Sequence, residues 1–185
     1  DKIPGLFDSF ENQKRIISKD KHEVKIKIRD DSGSKSIPII HANRGLMLSI
    51  FSNLIHNSIK SIKYASTPRY DENGTLQNPG HTRKLDNPMI AIEIWEGDRT
   101  LNIKCHDNGY GVPEENKEVI WKPFKSLYPK PWRGMGVGMN IMSTIVGRIY
   151  NGEITLDSTK CEDDAPGEGF ATFLIKIPLK ELKKK

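Results

Sequence analysis

The chain has 185 residues, enough for one domain, and 36% apolar against 29% charged residues suits a folded core rather than a disordered segment. No apolar run is long enough to span a bilayer, Asp1-Lys2-Ile3-Pro4 lacks a secretory leader pattern, and Cys105 and Cys161 without CxxC spacing exclude a disulfide framework and a structural zinc site. Of the net charge of +5, three units come from the basic tail 179–185, where Lys180, Lys183, Lys184 and Lys185 oppose Glu181, so the body offers little to nucleic acid. A cytoplasmic chain with no nucleic-acid partner and no membrane insertion of its own is expected.

Leu6, Phe7, Phe10, Lys14 and Ile17 keep helical spacing and predict a short first helix. Val24, Ile26 and Ile28 alternate with charged residues, and after the turn Asp30-Asp31-Ser32-Gly33-Ser34 the run Ile37-Pro38-Ile39-Ile40 predicts a second strand. From about 43 to 64, apolar residues recur at 46, 50, 54 and at 47, 51, 55, 59, 62, the spacing of a long helix with one buried face. Residues 66–88, with Thr67-Pro68, Asn73-Gly74 and Asn78-Pro79-Gly80, are polar and turn-rich and read as an insertion loop. Ile90, Ile92, Ile94 and then Leu101, Ile103, Cys105 predict two strands around Glu96-Gly97-Asp98. A Gly/Pro/Lys-rich stretch leads to a helix from about 139 to 150, with Met142, Ile145, Val146 and Ile149 on one side. Strands around 154–156 and 170–177 close the chain. The expected fold is one α+β domain over 1–185, a two-layer α/β sandwich whose mixed sheet is covered by helices on one face.

The long helix carries a polar stripe beside its buried face, because at about 100° per residue Asn57 lies about 40° round from Asn53, and Lys60 and Tyr64 fall within about 20° of Asn53 on either side. Amide oxygens are hard neutral ligands that suit Mg²⁺, and a lysine ammonium meets a phosphate as a point charge. Taken alone, the stripe reads first as a wet helix face. Asp107-Asn108-Gly109-Tyr110-Gly111-Val112-Pro113 directly follows a strand; it is either a tight turn or a carboxylate that accepts from an adenine amino group while Gly109 and Gly111 let backbone approach the base. Gly134-Met135-Gly136-Val137-Gly138 then opens a helix at Met139, freeing backbone N–H groups for phosphate oxygens. This is GxGxG after a loop, with no Walker lysine, so Rossmann and P-loop assignments fail.

In this order, the Asn-rich helix, the DxGxG strand end, the basic stretch and the GxGxG helix start resemble the ATP-binding (Bergerat-type) domain shared by sensor histidine kinases, DNA gyrase B, Hsp90 and MutL, the histidine kinase branch most of all. Asn53-Leu54-Ile55-His56-Asn57-Ser58 resembles the N box, which implies Asn57 on Mg²⁺, Asn53 in support and Lys60 on phosphate. Asp107 to Gly111 resembles the G1 box, with Asp107 reading adenine beside Gly109, Gly111 and Val112. Ile120 to Phe124 is similar to the F box, residues 113–134 to the ATP lid, and Gly134, Met135, Gly136, Val137, Gly138 and Met139 to the G2 box. Gly169-Phe170-Ala171-Thr172-Phe173 looks like the closing Gly-Thr-x-Phe strand, which implies Thr172 near the adenine. Trp121, Lys122, Met135 and Ser61 depart from the pattern.

The clamp ATPases carry a Glu as general base four residues before the metal Asn, whereas Asn53 here cannot take a proton. The resemblance therefore implies a catalytic domain that passes the ATP γ-phosphate to a histidine on a separate, upstream dimerisation domain, with lid cations among Lys122, Lys125, Lys130 and Arg133. His22, His41, His81 and His106 lie in no long dimerisation helix. The implied setting is a longer two-component sensor, cytoplasmic or anchored in the inner membrane, with a response regulator as its further partner. A clamp ATPase and a non-catalytic interaction module of the same fold are the competing readings.

Overall fold

A computed structural model describes residues 25–29, 42–67, 73–75, 88–128, 133–160 and 169–182. The expected first helix, the strand at 37–40, most of the insertion 66–88, Lys130, His22, His41, His81, Cys161 and the last three lysines lie outside the described residues.

Strand β1 (Lys25–Arg29) precedes helix α1 (Arg44–Ala65); the hairpin β2 (Met89–Gly97) and β3 (Thr100–Asp107) follows. Two short 3₁₀ turns, Glu114–Asn116 and Val119–Trp121, lead to helix α2 (Gly138–Thr144), which continues as a π-helical turn, Ile145–Ile149. Strands β4 (Glu153–Thr159) and β5 (Phe170–Pro178) and the short helix α3 (Leu179–Leu182) end the described chain. The sheet order is β1-β2-β3-β5-β4, with β1 parallel to β2 and every other pair antiparallel. This is the mixed sheet and α+β sandwich that the pattern predicts.

Helix α1 begins where the Asn43 side chain accepts from the Leu46 N–H at 3.1 Å, an N-cap that satisfies one orphan donor. Its apolar side, Met47, Ile50, Phe51, Leu54, Ile55 and Ile62, packs on Ile90, Ile92, Ile94, Leu101, Ile103 and Cys105 of the central hairpin. Alternation along β2 and β3 sends these side chains to the helix layer. On the other face, register partners pair instead: Lys104 Nζ lies 3.6 Å from Glu93, and His106 Nδ1 lies 2.8 Å from Thr172 Oγ1. The hairpin turn is Asp98-Arg99, both at positive φ, so Gly97 ends β2 rather than centring the turn.

Two expectations change. The helix at 139–150 is not uniform: Tyr150 N–H bonds the Ile145 carbonyl at 3.1 Å, an i→i+5 closure that rotates the register, turns Ile149 out to 48% exposure and buries Tyr150 in its place. The stretch expected as a basic tail over 179–185 begins inside the fold, because Leu179 and Leu182 of α3 are buried in the core while Lys180 is exposed.

Candidate functional site

Helix α1, the β3 end, the turns after it and the 133–138 loop enclose a cavity of about 450 Å³, within the size range of small-molecule and cofactor sites. Asp107 stands at one end. It closes β3, is 1% exposed, and accepts from Ser58 Oγ at 2.8 Å and from the Gly109 N–H at 3.1 Å. Burial pushes its carboxyl up from 3.8 to about 6, against the pull of those bonds and of Ser61. A carboxylate so desolvated, aimed at a cavity, is a strong acceptor for any donor entering there.

Asn53, Asn57 and Lys60 line the same cavity from α1. Asn53 Nδ2 donates to the Ser49 carbonyl at 2.8 Å, which fixes its amide and turns Oδ1 toward Gly138. Asn57 Nδ2 faces Met139 Sδ at 2.9 Å, leaving Oδ1 for another partner. Partial burial lowers the Lys60 pKa. Gly134, Met135, Gly136, Val137, Gly138 and Met139 supply the opposite rim. Helix α2 starts there with Val137 as its N-cap residue and no side-chain capping bond, so its first N–H groups keep their donors for other acceptors.

Gly111 and Val112 also line the cavity. Gly111, at φ +75°, lies against the carbonyls of Thr159 and Phe170, and the Val112 N–H donates to Ser158 Oγ at 2.8 Å. Several expectations need correction. Gly109 does not line the cavity: it is small because α1 backbone at Ile62 and the Ser61 side chain crowd it, and its role is to hold Asp107. Thr172 points to the other sheet face, onto His106, since strand alternation gives the cavity side to Ala171 and Phe173. Phe124 is 73% exposed and outside the cavity wall. Tyr64 leaves the polar stripe, being buried against Tyr110 and Tyr128.

The reasoning from sequence missed Ser58, Leu127, Tyr128 and the hydrophobic floor formed by Ala171 and Phe173. Ser58 was findable: it falls on the buried arc of α1, where a hydroxyl needs a partner, and the carboxylate at 107 is that partner. Tyr128 lies in a stretch without periodicity and carried no signal.

Residues 41–181 match the family described as histidine kinase-, DNA gyrase B-, and HSP90-like ATPase. The chain belongs to this family. It is 32% identical over 125 residues, 66% of its length, to cyanobacterial phytochrome B of Nostoc sp., of which it spans only 14%. Its fold is shared with full-length ShkA in complex with AMPPNP, at a TM-score of 0.63 and 18% identity over 96% of this chain and 30% of that one. It is shared likewise with histidine kinase ThkA in complex with the response regulator protein TrrA, at a TM-score of 0.60 and 18% identity over 98% of this chain and 40% of that one. The architecture is thus that of histidine kinase catalytic domains. No helix among the described residues is long and apolar enough to cross a membrane.

Proposed function

We propose that this chain binds Mg-ATP in the α1 cavity and serves as the catalytic domain of a protein-histidine kinase, acting on a histidine of a dimerisation domain elsewhere in a longer sensor protein. The observation that carries the reading is one cavity holding a buried carboxylate at Asp107 and, along the same helix face, Asn57, Lys60 and Asn53. The residues fit a nucleotide: Asp107 takes the purine amino group, Val112, Ala171 and Phe173 give apolar surface to the base, and Lys60 and the N–H groups entering α2 meet phosphate oxygens.

They also fit a magnesium ion carried by the nucleotide. Among the described residues no cluster of three His, Cys, Asp or Glu could hold a metal by itself. A single neutral amide oxygen, that of Asn57, suits an ion that takes the rest of its shell from phosphates and water. Bound there, Mg²⁺ supplies charge neutralisation at the phosphates.

Phosphoryl transfer asks the protein chiefly to position and to neutralise, which Lys60 and the glycine loop do by holding the phosphates. Asn53, an amide bonded to the Ser49 carbonyl, offers no base for activating water. Transfer to a protein nucleophile is therefore favoured over clamp-type hydrolysis, and a response regulator, as seen with ThkA, is the downstream partner.

Calorimetric titration with ATP, with and without Mg²⁺, tests the reading. Wild-type protein should bind Mg-ATP more tightly than ATP alone, and Asn57→Ala should lose that enhancement; an undiminished enhancement removes Asn57 from the metal shell. Labelled phosphate should then move from ATP to a histidine in the full-length parent protein and not to water.

A further inference from the structure

Tyr128 has no role in the reading above, yet it touches both ends of the cavity. It is half-buried in the cavity wall, and its ring packs 4.7 Å from that of Tyr64, which in turn meets Tyr110 edge-on at 4.9 Å. Lys60 Nζ lies 4.8 Å from the centre of the Tyr128 ring, and a Cβ on Gly134 would stand 3.4 Å from the same ammonium. The ammonium therefore sits between an aromatic face and the glycine loop. At the other end the Ser61 hydroxyl accepts from the Tyr110 N–H at 2.9 Å and acts electrostatically on both Asp107 and Tyr128. Beside the carboxylate helix α1 presents two serines, Ser58 and Ser61, and the aromatic wall of that end comes from Tyr128 on the far side of the cavity.

We infer that Tyr128 is the base-stacking residue of the nucleotide subsite, its ring face covered by the Lys60 ammonium until phosphates draw the lysine away and the purine stacks in its place. The inference rests on the Mg-ATP reading of the cavity. An aromatic face attracts a cation through its quadrupole, but a phosphate offers the same lysine charge-assisted hydrogen bonds, which are stronger. The exposed π face then accepts a base, and stacking of this kind accepts every base. Discrimination is left to Asp107, which accepts from a purine that carries an amino donor. Lys60 and Tyr128 thus exchange partners in one event, and base and phosphate binding become linked through two side chains.

Two measurements test this on the chain as it stands. In wild-type protein, nuclear magnetic resonance should show the Lys60 ε-protons shifted upfield by the ring, the shift relaxing on addition of Mg-ATP as cross-peaks appear between Tyr128 ring protons and the adenine protons. In calorimetry, Tyr128→Leu should weaken Mg-ATP and Mg-ADP about tenfold and leave Mg-tripolyphosphate within about twofold, while Tyr128→Phe, which keeps the ring, should restore nucleotide affinity. Mg-ATP binding unchanged in Tyr128→Leu, an equal loss for tripolyphosphate, or absent adenine cross-peaks would overturn the role of Tyr128 alone. A wild-type protein that binds no Mg-ATP overturns the function proposed for the cavity and this inference with it.

Discussion

Two glycine-containing segments border the cavity, 107–112 at the end of β3 and 134–138 at the start of α2, and their glycines are small for different reasons. Gly109 is crowded by α1 at Ser61 and Ile62, and Gly111 by the backbone of Thr159 and Phe170, which is the last register pair of the β4–β5 ladder. In the second segment Gly136 meets Lys125 backbone, but Gly134 and Gly138 meet the polar ends of Lys60 and Asn53. The first segment is thus part of the frame, locking the Asp107 strand end against a helix and two strands. The second is fitted to the cavity groups proposed above to hold the phosphates. Glycine-rich loops that look alike in sequence divide into those the fold requires and those the site requires.

Gly111→Ala should break this comparison hardest. The residue has φ +75°, and its new Cβ would press on the carbonyls of Thr159 and Phe170, neither of which can swing aside. Left-handed backbone costs about 1–3 kcal/mol for a side chain. Overpacking against backbone adds a similar amount, so the expected loss is about 3 kcal/mol or more. Chemical denaturation reads it directly. A loss under about 1 kcal/mol would mean that the segment is pliable and the frame assignment wrong.

Asp107 sharpens the same contrast because frame and site pull it in opposite directions. Its folded-state pKa is raised to about 6 from 3.8, so the native state binds this proton more tightly than the unfolded chain does. The stability this group contributes is full below about pH 4 and is lost as the pH rises through about 6, about 3 kcal/mol in all. Asp107→Asn keeps an oxygen for the Gly109 N–H, turns its NH2 to Ser58 Oγ, a hydroxyl that can accept instead of donate, and removes the buried charge. The variant should therefore be more stable than wild type by about 2–3 kcal/mol at pH 7.5 and no more stable at pH 4. Its Mg-ATP affinity should fall by about 1.5–3 kcal/mol. In wild type the affinity should weaken as the pH drops through about 6, when the acceptor is protonated. Stability and affinity that move in the same direction in this variant would remove Asp107 from the site.

The contrast also tells which parts of the molecule were legible from sequence. Helix α1 was readable almost residue by residue, since its apolar spacing is long and uninterrupted, and its expected span of about 43–64 meets the observed Arg44–Ala65. The β2–β3 alternation was equally plain. Thr172 failed because a motif read as five letters does not fix which of them face inward; alternation anchored at Phe173 gives the inward place to Ala171. Ile149 failed because a π turn leaves no mark in apolar spacing, and only the later burial of Tyr150 reveals the altered register. Phe124 and Tyr128 lie in a stretch without periodicity, where tertiary contacts alone decide that one ring is exposed and the other lines the cavity.

Gly138→Ala carries the smallest expected effect on the fold and tests the other half of the comparison. The added Cβ would meet Asn53 Oδ1, the far end of a side chain, and φ at this helical position is one that alanine adopts readily. Stability should change by less than about 1 kcal/mol, since alanine favours a helix as much as the contact opposes it. Relief comes from rotating the Asn53 amide, which breaks its 2.8 Å bond to the Ser49 carbonyl and turns it from the cavity. Mg-ATP affinity should then fall about three- to tenfold, a neutral hydrogen-bonding group lost at the phosphate end. Asn53→Ala combined with Gly138→Ala should lose no more affinity than Asn53→Ala alone, because both act through one amide. Additive losses in this cycle would show that Gly138 acts through its own backbone, and the division between frame glycines and site glycines would have to be drawn elsewhere.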